Sequence, residues 1–278
     1  MKGEVSQLVT LASAANGILS ECIGPEPLYP SNAAFRFCNS VRFVDLKKTL
    51  FGNLREVQRH EDPDRWLRSL KPSNAIRASL TYTSSANPLP PDHQLAAFVG
   101  GGGEWRLTVS FKRSAEIWMP RWEVTNQDAP DKRIWRVTYG CVGRYLSPPS
   151  VPKAQLDLAT SRLLSSLTDA AKFATEHDLP FWTDRFQRAI DCLDPANPVV
   201  FPDYVEFVCQ GSYPQTAQRL LSASYNGWVF GGMGSWNDMY FEPKSENARY
   251  NSISSELYSA INDAVQQASW SFGLTHAA

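Results

Sequence analysis

Apolar and polar residues alternate along several segments between residues 76 and 142, and this alternation constrains the fold more than any other feature. In the first segment, Ile76, Ala78 and Leu80 are separated by polar side chains. A period of two is typical of a strand with one buried face. Comparable segments follow at residues 105–111, 117–124 and 134–142. Their connections are too short for the crossovers of parallel strands, so the sequence predicts an antiparallel β-meander in the first half.

Helical spacing of apolar residues dominates the second half of the chain. Leu163, Leu167 and Ala174 share one face of a long amphipathic helix, and residues 252–269 show the same period. Residues 5–22 and 45–60 also have helical spacing. The sequence therefore predicts an α+β fold in which the meander packs against helices concentrated in the second half. We expect residues 1–278 to form a single domain, with a possible sub-boundary at the proline-rich linker 146–152.

Composition and charge exclude several classes of function. The formal net charge is −1, which provides no global attraction for nucleic acid. No apolar run approaches the ~20 residues of a membrane-spanning helix. The five cysteines are scattered and never spaced as CxxC, which argues against a disulfide framework and a zinc site. We therefore expect a cytoplasmic protein with no cofactor, no metal, no nucleic-acid partner and no membrane contact.

Two glycine-rich segments are the first candidates for a functional site. Residues 100–104, the first glycine loop, precede a strand pattern, which favours a hairpin loop between Phe98 and Trp105 over a phosphate cradle. Residues 231–238, the second glycine loop, combine backbone freedom with an indole, an amide and a carboxylate. That composition suits a recognition loop, although a turn with the indole packed over the sheet would use the same residues. The candidate binding residues here are Gly231, Gly232, Gly234, Ser235, Trp236, Asn237 and Asp238.

A hydrolase-type enzyme is the alternative function. Glu104 ends the first glycine loop and Asp238 ends the second, so the two carboxylates would form an acid pair if the loops met at one sheet edge. No nucleophile or metal motif accompanies the four histidines. The catalytic assignment of Glu104 and Asp238 therefore depends on whether the fold brings them together.

Three tryptophans on adjacent predicted strands favour a binding function instead. Trp118, Trp122 and Trp135 occur close to several arginines, and both residue types dominate interface hot spots. Cross-strand Trp–Arg ladders on a solvent-facing sheet would explain the same pattern. We expect a bacterial, cytoplasmic protein that binds or neutralises a protein partner, as immunity proteins do. A homo-oligomeric scaffold that associates through the same patch or the final helix stays open.

Overall fold

The segments with alternating apolar residues form strands, as the sequence predicts. A computed structural model describes residues 3–22, 27–48, 54–86, 89–146, 151–202 and 209–273. The strands are β1 (Cys38–Lys48), β2 (Leu54–His60), β3 (Ala75–Thr83), β4 (Glu104–Phe111), β5 (Ser114–Val124) and β6 (Trp135–Tyr145). Strands β3 to β6 pair with their neighbours in antiparallel register. These four strands form the predicted meander.

The sheet as a whole is mixed, so the prediction of a purely antiparallel meander is wrong. The strand order is β2-β1-β6-β5-β4-β3, and β1 lies parallel to β6 while β2 pairs antiparallel with β1. A parallel pair needs a long connection, and the chain from β2 to β5 supplies it. In this register Val41 lies beside Val137 and Phe43 beside Tyr139, and all four side chains are buried.

The helical spacing of residues 45–60 predicts a helix, but the described residues of this segment form strands. These residues contribute the end of β1 and the whole of β2, while residues 49–53 lie outside the described part of the chain. β2 is an edge strand with a mostly exposed or half-buried surface, so it lacks the alternation that marks the central strands. Apolar spacing in such a short, weakly patterned segment does not distinguish helix from strand.

Seven α-helices occur among the described residues, and four of them follow the sheet. They are α1 (Gly3–Leu19), α2 (Pro63–Leu70), α3 (Asp92–Leu95), α4 (Leu156–Glu176), α5 (Pro180–Leu193), α6 (Gln215–Gly227) and α7 (Lys244–Trp270). The α+β class is confirmed. Residues 147–150 of the predicted linker lie outside the described residues, as do residues 203–208. Within the described ranges, no helix has the length and apolar character needed to cross a bilayer.

Helices α1 and α7 protect the open edge of β3. The side-chain amide of Asn16 in α1 donates to the carbonyl of Ala78 at 2.8 Å and accepts from the Ala78 N–H at 2.7 Å. Gln266 in α7 accepts from the Tyr82 N–H at 2.7 Å. An uncovered edge would offer these backbone groups to another strand. The side-chain amides of Asn16 and Gln266 therefore hydrogen-bond to backbone groups at the edge of β3 and hold both helices against the sheet.

One continuous cluster of buried apolar residues joins the sheet to the helices. Aromatic side chains fill its centre: the Phe43 ring stacks on Trp66 at 4.6 Å and on Tyr139 at 4.9 Å, and meets Trp118 edge-on at 5.5 Å. Such pairs add packing energy beyond the area that they bury. The face of the sheet that carries Trp118 is therefore an interior face, covered by α2 at this point.

Candidate functional site

The first glycine loop follows α3 directly and leads into β4. α3 and the turns after it precede the loop in place of a strand, so the hairpin loop expected between Phe98 and Trp105 is instead a connection from a helix to a strand. The carbonyl of Gly102 accepts hydrogen bonds from the hydroxyls of Tyr258 at 2.6 Å and Tyr82 at 3.3 Å. Burial raises the pKa of both tyrosines well above their ordinary value, so both hydroxyls stay protonated as donors. The first glycine loop is therefore held by Tyr82 of β3 and by Tyr258 of α7.

Replacing Gly102 by alanine is expected to destabilise the fold by about 1–3 kcal/mol. Gly102 has a φ of +83°, and an added Cβ would lie 2.5 Å from the Tyr258 hydroxyl and 2.8 Å from the Cα of Ala96. The free energy of unfolding from urea titration measures this effect. Gly211→Ala is the matched control, because a Cβ there meets nothing within 4 Å. Equal stability of the two variants would contradict the prediction.

The second glycine loop places its tryptophan in the core and not on the surface. Trp236 begins a short 3-10 turn, and its indole is fully buried among the helices that follow the sheet. The Nε1–H donates to the Ser254 hydroxyl at 2.8 Å, and the ring meets Phe186 edge-on at 5.0 Å and Trp182 at 5.5 Å. Trp236 therefore packs as a structural side chain in this conformation.

Some of the other residues of the second glycine loop line a cavity, and others form hydrogen bonds with nearby backbone groups. The side-chain amide of Asn237 donates to the carbonyl of His93 in α3 at 2.7 Å. The carboxylate of Asp238 accepts from the Gly234 N–H. A cavity of about 420 Å³ lies between this loop and the start of α5, and the loop residues that line it are Gly231, Gly232, Gly234 and Ser235.

Both glycine loops therefore border α3, but their acids have separate partners. Glu104 forms an ion pair with Arg106 on its own strand and lines a cavity that does not include Asp238. The bond from Gly234 holds Asp238 on the other loop. No hydrogen bond joins Glu104 to Asp238 among the described residues. Each acid is thus held by a local partner, and the acid pair of the hydrolase alternative stays a prediction.

A second pair of carboxylates lies at the sheet surface and is neutralised by arginine. Asp45 binds Arg144 at 2.8 Å and Arg59 at 3.5 Å. Glu116 binds Arg59 at 2.8 Å and Arg144 at 3.3 Å. Each carboxylate thus contacts two guanidinium groups, so the two negative and two positive charges offset one another. The cluster has the character of a stabilising network.

A buried histidine in α3 is the polar group that the sequence does not reveal. His93 is 1% exposed, its Nδ1 lies 3.1 Å from the Ser255 hydroxyl, and its Nε2 has no partner within the described part of the chain. Burial lowers the pKa of His93 to about 4, and the charge of the adjacent Asp92 opposes that shift. No carboxylate in the described part of the chain orients Nε2 of the imidazole. Ser255 and His93 therefore lack the geometry of a nucleophile and its base.

The three candidate tryptophans of the sheet have different environments. Trp118 is buried, and the Arg59 guanidinium lies 5.3 Å from its ring centroid. Trp122 and Trp135 are only partly buried, and their rings meet edge-on at 5.8 Å. They lie on paired strands where β5 ends and β6 begins. The structure therefore brings two of the three tryptophans together at an accessible position.

Trp122 and Trp135 line a cavity of about 490 Å³, here called the tryptophan cleft. Its other walls come from the first turn of α1, from the segment that leads into β1 and from α6: Gly3, Ser6, Ala33, Ala34, Arg36, Phe37, Cys38 and Tyr225. A smaller cavity of about 160 Å³ shares Gly3 and both tryptophans and extends to Phe98 and Val99. The two cavities adjoin at these shared residues, and both have largely apolar walls.

Large apolar side chains surround the tryptophan cleft at the surface. Phe37 is 51% exposed, Phe98 is 65% exposed and Val124, which pairs with Trp135, is 45% exposed. Arg36 lies over the Phe37 ring at 5.5 Å and forms no ion pair among the described residues. Sequence reasoning misses Arg36, Phe37 and Phe98, because the strand pattern marks only the tryptophans.

Neither a search of the described residues for metal sites nor comparison with known proteins identifies another functional site. No group of three or more histidine, cysteine, aspartate or glutamate side chains in the described ranges is arranged to hold a metal ion. The sequence matches no protein-family model, and no curated protein or solved structure matches it significantly. The geometry of the chain itself therefore carries the functional argument.

Proposed function

We propose that this chain is a binding protein that captures a protein partner through the tryptophan cleft. The observation that supports the proposal is the group of exposed apolar side chains around a preformed depression whose walls contain two tryptophans. Tryptophan dominates interface hot spots because it offers a large rigid surface at low entropic cost. Contiguous exposed apolar surface of this kind is typical of interaction sites.

The surface around the cleft favours a protein over a small molecule. A small ligand of the cavity's size would fill the space beside Trp122 and Trp135, but it would leave exposed surface of Phe37, Phe98 and Val124 in contact with water. A partner surface would bury all of them. We therefore propose that an apolar side chain of the partner enters the tryptophan cleft and packs against Trp122 and Trp135, while the neighbouring residues of the partner cover the rim.

The charge at the rim specifies the partner further. Arg36 has no ion-pair partner among the described residues, and its guanidinium lies beside the apolar rim at Phe37. Burial of this charge is favourable only if the partner supplies an acceptor. We propose an acidic side chain next to the inserted apolar one. The cytoplasmic location and the neutralising role belong to this proposal and rest on the sequence argument.

Crosslinking at the rim tests the proposal. A photoreactive phenylalanine analogue replaces Phe37 or Phe98 in cells that naturally produce the protein, and Leu158, an exposed residue of α4, is the control position. We expect both rim positions to crosslink the same partner protein and Leu158 to crosslink none. Crosslinks only to a second copy of the chain, or none at either rim position, would contradict the proposal.

Substitution then tests the chemistry of the contact. Arg36→Glu and Phe98→Ala are each expected to weaken binding of the identified partner by at least about tenfold, measured by calorimetry. Both side chains are exposed, so the fold should be unaffected, and circular dichroism checks this. Full affinity in both variants would show that the partner binds elsewhere.

A further inference from the structure

A separate cavity lies between the second glycine loop and the start of α5. Its volume is about 420 Å³, within the range of small-molecule sites. The start of α5 contributes Phe181, Trp182 and Arg185, and the opposite wall is formed by residues 228–232 with Gly234 and Ser235. Among the described residues that line the cavity, Arg185 is the one with a charged side chain.

Arg185 has unused hydrogen-bonding capacity. One terminal nitrogen, Nη2, donates to the carbonyl of Trp228 at 3.3 Å, and no carboxylate in the described part of the chain pairs with this guanidinium. By contrast, Arg188, one turn later on α5, forms an ion pair with Asp184 at 2.7 Å. A guanidinium presents five N–H donors in a planar fork that matches a carboxylate. The partly buried Arg185 therefore offers an unneutralised positive charge inside a cavity.

Apolar surface lies next to this charge. Phe181 is one helical turn before Arg185, so the two side chains share a face of α5. The Phe181 ring is 62% exposed and meets Trp182 edge-on at 4.9 Å. On the other wall, Gly232 carries no side chain, and a Cβ there would meet nothing within 4 Å. Gly232 therefore adds no side chain to the lining of the cavity.

We propose that this cavity binds a small organic monocarboxylate with an aromatic body. The carboxylate accepts two hydrogen bonds from the Arg185 guanidinium, and the aromatic body packs against Phe181 and Trp182. A single cationic side chain in an otherwise uncharged lining matches one negative charge and not the two of a phosphate group. This site is independent of the tryptophan cleft.

Phenylacetate, phenylacetamide, acetate and inorganic phosphate test the proposal as calorimetric probes. For the wild-type chain we expect saturable binding of phenylacetate, with phenylacetamide, acetate and phosphate each at least about tenfold weaker. Phenylacetamide keeps the ring but lacks the charge, and acetate keeps the charge but lacks the ring. Absence of saturable phenylacetate binding would overturn the proposal, as would equal affinity for the amide or for phosphate.

Variants of α5 locate the site. Arg185→Gln is expected to weaken phenylacetate binding about tenfold and to abolish the preference for the acid over the amide. Arg188→Gln is the matched control and should bind like wild type. If Arg185→Gln fails to fold by circular dichroism, Phe181→Ala replaces it, since that side chain is largely exposed; it should weaken phenylacetate several-fold and leave acetate unchanged. Unchanged phenylacetate affinity in a folded Arg185→Gln or Phe181→Ala variant would overturn the assignment.

Discussion

Replacing Trp236 by alanine is expected to destabilise the fold by about 3–5 kcal/mol. The substitution removes the largest side chain of the second glycine loop from a fully buried position. It leaves a cavity beside Phe186 and Tyr250, whose rings lie 5.0 Å and 5.3 Å from the indole. It also removes the hydrogen bond from Nε1 to Ser254. Such a loss is a large part of the total stability of a typical domain.

Urea unfolding followed by far-ultraviolet circular dichroism measures this effect without relying on tryptophan emission. Met233→Ala is the control in the same loop, because that side chain is fully exposed; its effect should stay within about 0.5 kcal/mol. Trp236→Phe keeps an aromatic ring and should cost less than the alanine variant. A Trp236→Ala protein as stable as Met233→Ala would contradict the buried placement of the indole.

This placement matters for any binding experiment on the second glycine loop. A Trp236 variant that loses a partner would report on folding before it reported on contact. The exposed loop residues, such as Met233 and Asp238, and the cavity residue Arg185 are better probes of recognition. The turn interpretation expects a packed indole, but Trp236 packs among α4, α5 and α7 and not over the sheet, while Gly231, Gly232, Gly234 and Ser235 line a cavity.

The meander and the late helices could be predicted because their patterns are long and local. β3 and β4 alternate with period two and pair with a neighbour along the chain, and α4 carries one apolar stripe. The parallel pair of β1 and β6 could not be predicted, because it joins segments separated by four other strands and leaves no local signal. Long-range pairing is decided by packing of the whole core and not by the period of one segment.

The candidate site shows the same limit. The sequence identifies tryptophan as an interface residue, but exposure depends on what covers each ring. Trp118 lies under α2, and the ring of Trp66 in that helix is 6.5 Å from the Trp118 ring. Trp122 lies four residues further along β5, near the end of the strand. The contribution of Arg36 and Phe37 to the cleft comes from a segment about 85 residues earlier, which no spacing rule connects to β5.

Acid is expected to unfold the protein partly through His93. The imidazole is buried and neutral in the folded state, with a pKa of about 4, against an ordinary value near 6.5 in the unfolded chain. Between these values the unfolded chain binds a proton that the folded protein excludes. The stability associated with His93 is therefore fully present above about pH 6.5 and is lost as the pH falls toward 4.

The expected loss is on the order of 3 kcal/mol over this interval, since each tenfold difference in proton affinity corresponds to about 1.4 kcal/mol. Burial of the imidazole is the main cause of the lowered pKa of His93, and the Asp92 carboxylate makes that lowering smaller. His93→Gln keeps a polar side chain beside Ser255 but cannot take up the proton. We expect this variant to be less stable than wild type at pH 7.5 but to lose less stability between pH 6.5 and pH 4.

Urea titrations at several pH values in this interval measure the difference between wild type and His93→Gln. His60, whose pKa burial also lowers, and the carboxylates titrate in both proteins, so the difference between the two curves isolates His93. Ser255→Ala removes the hydroxyl beside Nδ1 but retains the imidazole, and it should keep the pH dependence of wild type. Parallel curves for wild type and His93→Gln would show that the buried imidazole takes up its proton without unfolding, against the expected coupling.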